Sequence, residues 1–183
     1  QTCALPISDH SRLRKVMAPI FAQSAIDALR QQIATNVETI LGAVHRHTHF
    51  DLVDTFAIPL PLFVISDVLG IDPDERHPLR EWSEALVYKL HALASPERYD
   101  EAVTAHRALA DFFRARIRRR HVHAKSDVLT YLATTERRGD ISEDEAVSLA
   151  VNLLVAGHLT TSDLIASTER AALPRGITSG TAA

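Results

Sequence analysis

The stretch Ile141-Ser142-Glu143-Asp144-Glu145-Ala146-Val147-Ser148-Leu149-Ala150-Val151-Asn152-Leu153-Leu154-Val155-Ala156-Gly157-His158-Leu159-Thr160-Thr161 decides the fold. Ser142 with Glu145 three residues on is a capping-box pattern, which starts a helix by satisfying two orphan amides reciprocally. Glu143, Asp144 and Glu145 put negative charge in the first turn, where the helix dipole favours it. From Ala146 to Gly157 the chain is apolar on nearly every face, and such a helix belongs inside a protein. Continued over residues 141–172 it makes a rod of roughly 45 Å, long enough to cross a whole domain. The uninterrupted apolar run is shorter than the roughly 20 residues that a bilayer requires. The expectation is a buried central strut.

The middle of that strut is chemically unusual. Gly157 costs a helix roughly 1 kcal/mol relative to alanine, and it removes a side chain where a flat group could approach the backbone. Thr160 and Thr161 bring hydroxyls that can bond back to carbonyls one turn earlier and bend the helix. By themselves these small residues also fit tight helix packing.

Outward from the strut, the composition sets bounds. The chain has 183 residues, a formal net charge of -3, 46% hydrophobic and 23% charged residues. That suits one soluble globular domain with a sizeable core and gives no global case for nucleic-acid or membrane binding. The one cysteine excludes a disulfide framework and fits a reducing, cytoplasmic setting. Few aromatics (5%) and few glycines (6) beside abundant Ala, Leu, Arg and Glu favour helices. The fold class expected is mainly α.

The second informative stretch is Asp9-His10-Ser11-Arg12-Leu13-Arg14-Lys15-Val16-Met17-Ala18-Pro19-Ile20-Phe21. Asp9 is a candidate helix cap, and Leu13, Val16, Met17 and Ile20 form an apolar stripe. His10 and Arg14, four apart, share a helix face. An imidazole and a planar guanidinium suit a carboxylate, and the same pair also fits a solvated basic face. Residues 24–44 read as an amphipathic helix with a stripe of Ile26, Leu29, Ile33, Val37, Ile40 and Leu41. His45, His47 and His49 alternate, which shares a face only in a strand, and nothing completes a metal set around them.

Further on, Pro59 and Pro61 confine a helix to about residues 61–69, with Gly70 as its C-cap. Two more helices are expected at 74–93 and 96–120, with an apolar stripe of Trp82, Leu86, Leu90 and Leu93 directed to the core. The basic run from Arg114 to Arg120 reads as dipole compensation plus a solvated face, and it lacks the aromatics that single-stranded nucleic acid calls for. A short helix at 127–133 and a turn at Arg138-Gly139-Asp140 lead into the strut. Residues 1–8, with Cys3, and residues 168–183 read as irregular tails around a domain at 9–167.

Leu153-Leu154-Val155-Ala156-Gly157-His158-Leu159-Thr160-Thr161 resembles the oxygen-binding central helix of bacterial cytochromes P450, where the pattern is Ala/Gly-Gly-x-acid-Thr-Thr/Ser. The resemblance makes Ala156, Gly157, Thr160 and Thr161 cofactor-binding candidates beside a haem b, with Thr160 as the catalytic threonine that helps deliver protons. Leu159 stands where the family usually has an acid, and Leu neither carries nor orients a proton. The segment at His10 resembles the family's His-Thr/Ser-x-Leu-Arg-x-Leu-Val helix, which implies that His10 and Arg14 bind haem propionates. Arg12 and Lys15 become candidates for contact with an acidic electron donor. Residues 50–73 resemble the family segment Phe-Asp-Leu-Val…Pro-Leu-Pro…Leu-Leu-Gly-Val-Pro, and the helices at 74–93 and 96–120 resemble its substrate lid.

The resemblance covers about residues 9–166 and implies a partial P450 fold with a long buried central helix. It implies a monooxygenase that hydroxylates a hydrophobic small molecule with O2 and electrons from a ferredoxin or flavoprotein. No membrane and no nucleic-acid partner are implied. The family's Glu-x-x-Arg pair and its Phe-Gly-x-Gly-x-His-x-Cys-x-Gly loop, whose thiolate binds iron, do not occur in this sequence. No metal ligand is therefore assigned, and this chain is expected to be an inactive fragment. The alternative from the residues is a non-enzymatic all-helical ligand-binding or dimerisation module; another is haem binding with His158 as ligand.

Overall fold

The computed structural model describes residues 7–44, 50–90 and 96–172. Among the described residues seven α-helices run in chain order: α1 Ile7–Met17, α2 Gln23–Val44, α3 Pro59–Leu69, α4 His77–Leu90, α5 Pro96–Arg120, α6 Val128–Arg137 and α7 Glu143–Ala172. Short 3-10 turns at Ala18–Phe21 and Pro73–Glu75 and a π turn at Val53–Ala57 join them, and the described residues contain no strand.

The local signals explain most boundaries. The Ser142 amide donates to the Glu145 carboxylate at 2.8 Å, and the Glu145 amide donates to Ser142 Oγ at 3.2 Å, so α7 starts with its capping box formed. Pro59 occupies the first position of α3, where a missing N–H costs nothing. Gly70 ends α3 with φ 81°, and its amide and that of Ile71 donate to carbonyls of the last turn. Asp127 caps α6 by accepting from the Thr130 amide at 2.7 Å.

The core is built around one face of α7. Ala146, Val147, Ala150, Val151 and Leu154 meet Leu69 of α3, Leu109, Phe113 and Ile117 of α5, and Leu129 and Leu132 of α6. Leu79 and Leu86 bring in α4, and Leu13, Val16 and Met17 of α1 pack against the same cluster. A cross-chain polar junction locks the far side. Arg120, 5% exposed, donates to the Asp127 carboxylate and to the Gly70 carbonyl, each at 2.8 Å. Only glycine fits at 70, because a Cβ there would overlap the Asp127 carboxylate. A buried pair is tolerable when its hydrogen bonds are complete, as these are.

Several expectations need correction. The strut is not buried all round: Ser148, Asn152, Ala156, Thr160, Thr161 and Asp163 are exposed, as is Leu164 at 66%. An apolar composition does not ensure that every face finds a partner among these residues. The 26-residue stretch Glu143–Thr168 is long and apolar enough to cross a membrane by those criteria alone. Its closed face is the core seam of α3 to α6, which accounts for the hydropathy. The α2 stripe is also rotated. Its inward face carries Asn36 and Ile40, while Ile26, Ile33 and Leu41 are exposed. Asn36 takes the inner position because it donates to the Asp67 carboxylate at 2.7 Å, and Arg76 binds the same carboxylate.

The run from Arg114 to Arg120 is solvated only in part: Arg118 and Arg119 are exposed, but several of its arginines also pair with acids. Arg114 reaches Asp144 at 3.1 Å, Arg118 grips both oxygens of Glu143 at 2.6 and 2.9 Å, and Arg116 pairs with Glu75. Asp9 lies inside the first turn of α1 and is not its cap, because the helix begins at Ile7. α3 begins at Pro59 and α6 extends to Arg137, each longer than expected. α4 is described as far as Leu90, and α7 runs to Ala172, the extent expected of the strut. Cys3, the histidines at 45, 47 and 49, and Leu93 lie outside the described residues.

Candidate functional site

The open face of α7 follows from helix geometry. Residues at i and i+4 stack on one face, so Asn152, Ala156 and Thr160 form one exposed strip. The strip is floored by a methyl group at Ala156 and carries one hydroxyl, at Thr160. That hydroxyl donates back to the Ala156 carbonyl at 2.7 Å, the bond expected of a mid-helix threonine. Thr161 is exposed beside it, and Leu159 is half-buried.

Gly157 lies against α3. A Cβ there would come within 3.0 Å of Ile65 Cδ1 of α3, tighter than ordinary van der Waals contact. The missing side chain lets α3 lie close against α7, so tight helix packing accounts for this glycine. Of the small residues in the stretch, Ala156 faces the open side and Gly157 serves α3.

His158, on the closed side, is fully buried. Its Nδ1 lies 3.2 Å from Ser83 Oγ of α4, and the Ser83 hydroxyl is 3.0 Å from the Arg80 carbonyl. Because Ser83 gives its proton to that carbonyl, Nδ1–H of His158 is the donor between the two side chains. Nε2 then presents a buried lone pair with no hydrogen-bond partner. Burial pushes the imidazole below the ordinary histidine value; Glu84 opposes that shift and Arg80 adds to it. The sequence flagged His158 only as an iron-ligand alternative. Its place between α4 and α7 supports a packing role instead.

His10 and Arg14 are both exposed on α1 and make no hydrogen bond or ion pair with described residues. Arg12, on another face of the same helix, is engaged. It donates to the Asp140 carbonyl at 2.9 Å and binds the Glu145 carboxylate. The Arg12 guanidinium, followed by the Ser142 amide, holds the Glu145 carboxyl below the usual carboxylate range. Arg12 is thus already paired within the fold, whereas Lys15 remains exposed.

The residues present fit part of a haem site. His10 and Arg14 offer an imidazole N–H and a guanidinium fork suited to two carboxylates, and the Ala156–Thr160 strip offers a low surface that a flat ring could approach. An axial thiolate is supplied by no described residue, and no cluster of three His, Cys, Asp or Glu groups occurs among them.

Among the described residues the scaffold is all-helical, and it leaves one face of its central helix and the His10–Arg14 pair on a tethered helix uncovered. Comparison with known proteins gives that class a family. Cytochrome P450 107B1 of Saccharopolyspora erythraea is 33% identical over 158 residues, which is 86% of this chain and 37% of that protein. The biotin biosynthesis cytochrome P450 of Bacillus subtilis is 29% identical over 160 residues, 87% of this chain and 40% of that protein. Among solved structures, ligand-free Mycobacterium smegmatis CYP164A2 superposes with a TM-score of 0.86 at 33% identity, over 94% of this chain and 45% of that one. P450BioI in complex with hexadec-9Z-enoic acid ligated acyl carrier protein gives 0.85 at 26% identity, over 91% and 43%. No family model matches the chain. The chain belongs to the bacterial cytochrome P450 family and spans less than half the length of the relatives it matches. The family finding favours that reading over an all-helical regulatory module.

Proposed function

We propose that this chain is a fragment of a bacterial cytochrome P450 monooxygenase, carrying its propionate-binding helix and the oxygen-side helix of its haem pocket. The observation that carries the reading is the uncovered strip of Asn152, Ala156 and Thr160 on a central helix whose opposite face is packed in the core. When bound, haem supplies iron chemistry that activates O2 for insertion into a hydrophobic small molecule. His10 and Arg14 bind the propionates through charge-assisted hydrogen bonds. Ala156 keeps the surface low, Thr161 borders it, and Thr160 holds a proton on Oγ1 beside it. Leu159 excludes water there and contributes no proton. Electrons come from a ferredoxin or flavoprotein in the cytoplasm. Cys3 is the chain's one thiol and lies outside the motif that supplies the family's axial ligand, so the chain alone does not complete a haem-thiolate site and is inactive.

The test is a haemin titration of the purified chain, then reduction and addition of CO, with Cys3→Ser in parallel. The expected result is saturable binding without a thiolate-type CO band. His10→Ala and Arg14→Ala should each weaken binding by roughly tenfold, the worth of one hydrogen bond to a charged group. A thiolate-type band that disappears in Cys3→Ser would overturn the inactive reading. Binding indifferent to both α1 variants would overturn the propionate assignment.

A further inference from the structure

The acidic first turn of α7 is fully assigned to arginines. Glu143 takes Arg118 and Asp144 takes Arg114, both from α5, while Glu145 takes Arg12 from α1. Two of these pairs join helices that already share a large buried seam. The third joins α7 to α1, which touches the core only along one stripe. Arg12 spans two acceptors across the start of α7, the Asp140 carbonyl in the preceding turn and the Glu145 carboxylate. A planar fork fixes direction as well as distance, which a point charge does not. A second tether lies one helical turn along α1, where the Tyr131 hydroxyl of α6 donates to the Val16 carbonyl at 2.7 Å. Arg12 and Val16, four apart, therefore fasten one face of α1, and the apolar stripe of Leu13 and Met17 lies beside them. His10 and Arg14, also four apart, are left on an outward face of the same helix.

We propose that Arg12 is a positioning residue: it pins α1 to the N-terminus of α7 and so fixes where His10 and Arg14 present their donors. The inference rests on the reading of His10 and Arg14 as the carboxylate-binding pair. It also removes Arg12 from the residues offered to an electron donor, leaving Lys15. Because the Glu145 carboxylate also accepts from the Ser142 amide, the anchor of α1 and the cap of α7 share one group. Loosening either one disturbs the other.

The experiment combines amide hydrogen exchange of the apo chain with haemin titration, on wild type, Arg12→Gln, Arg12→Lys and Tyr131→Phe. In Arg12→Gln, exchange should rise across residues 9–17 while the α5–α6–α7 core keeps its protection. Haemin binding should weaken on the order of tenfold, as for other groups that orient ligands without touching them. Arg12→Lys, which keeps the charge and loses the fork, should fall between the two, and Tyr131→Phe should loosen the Val16 end. The haemin effect of Arg12→Gln should vanish in a His10→Ala/Arg14→Ala background, because Arg12 acts through those two residues. Unchanged exchange in α1, or a haemin effect that persists in that background, would overturn the proposal. If wild type itself fails to bind haemin, the propionate reading falls, and the exchange comparison alone decides whether Arg12 anchors α1.

Discussion

The two faces of α7 differ in almost every respect that composition would hide. Toward α3, α5 and α6 the helix presents Ala146, Ala150 and Leu154, all fully buried, and Gly157 lets α3 approach within van der Waals contact. Toward the other side it presents Asn152, Ala156 and Thr160, all exposed. The closed face is specified by side-chain volume, where one methylene more or less is felt. The open face is specified by smallness and by one hydroxyl, which does little for folding. The packing that stabilises the fold is thus carried by one side of the helix, and the other side is left open.

The largest effect belongs to the closed face. Leu154→Ala should cost about 2–5 kcal/mol in chemical denaturation, because it removes a fully buried side chain from a seam with little room to collapse. Apolar groups left exposed, such as Leu164 and Ile26, make self-association of the unfolding chain a competing process, so reversibility at low concentration is part of the measurement. A loss below about 1 kcal/mol would show that the closed face is loosely packed, and the contrast between the two faces would collapse.

A smaller effect, confined to acid, belongs to His158. Its folded pKa lies below the unfolded one, so above the ordinary histidine value of about 6.5 both states are neutral and the group costs nothing. As pH falls below that value the unfolded chain takes up a proton that the folded chain refuses, and stability declines. The slope from this group is at most about 1.4 kcal/mol per pH unit. The decline ends once pH has fallen below the lowered folded value. The groups facing His158 are Ser83, Arg80 and Glu84 of α4, and Glu84 opposes the shift. His158→Gln should flatten urea midpoints between about pH 7 and 5.5; an equal slope in both proteins would assign the decline elsewhere. The carboxylates of Glu143 and Glu145, held low by their arginines, act only further into acid.

Much of this architecture was legible in the sequence because it rests on local rules. The Ser142–Glu145 box and the Gly70 cap each concern residues within four positions, and each formed as anticipated. What escaped reading was pairwise and distant. Nothing near Asn36 announces Asp67, and nothing in the run from Arg114 to Arg120 announces that an acidic helix start lies across from it. The sequence treated Arg12 as a free basic residue for the same reason. At the candidate site, Ala156 and Thr160 lie on the uncovered face, whereas Gly157 lies on the side packed against Ile65 of α3. A helical wheel could have warned of this, since Gly157 falls three residues from Leu154 and joins its face.

The smallest effect is also the sharpest test of the contrast. Thr160→Val keeps the branched shape and removes only the hydroxyl, whose bond runs to the Ala156 carbonyl of the same helix. Threonine and valine have similar helix propensities, and no other element contributes to that bond. Stability should therefore move by no more than about 0.5 kcal/mol, the range of an exposed substitution away from structural features. Haemin binding should also be retained, because the carboxylate donors reside on α1. A loss above about 1 kcal/mol would mean that the strip is part of the folding core and that its hydroxyl was placed there for packing. With stability unmoved, the hydroxyl contributes nothing measurable to the fold, and the contrast between the packed and the open face of α7 stands.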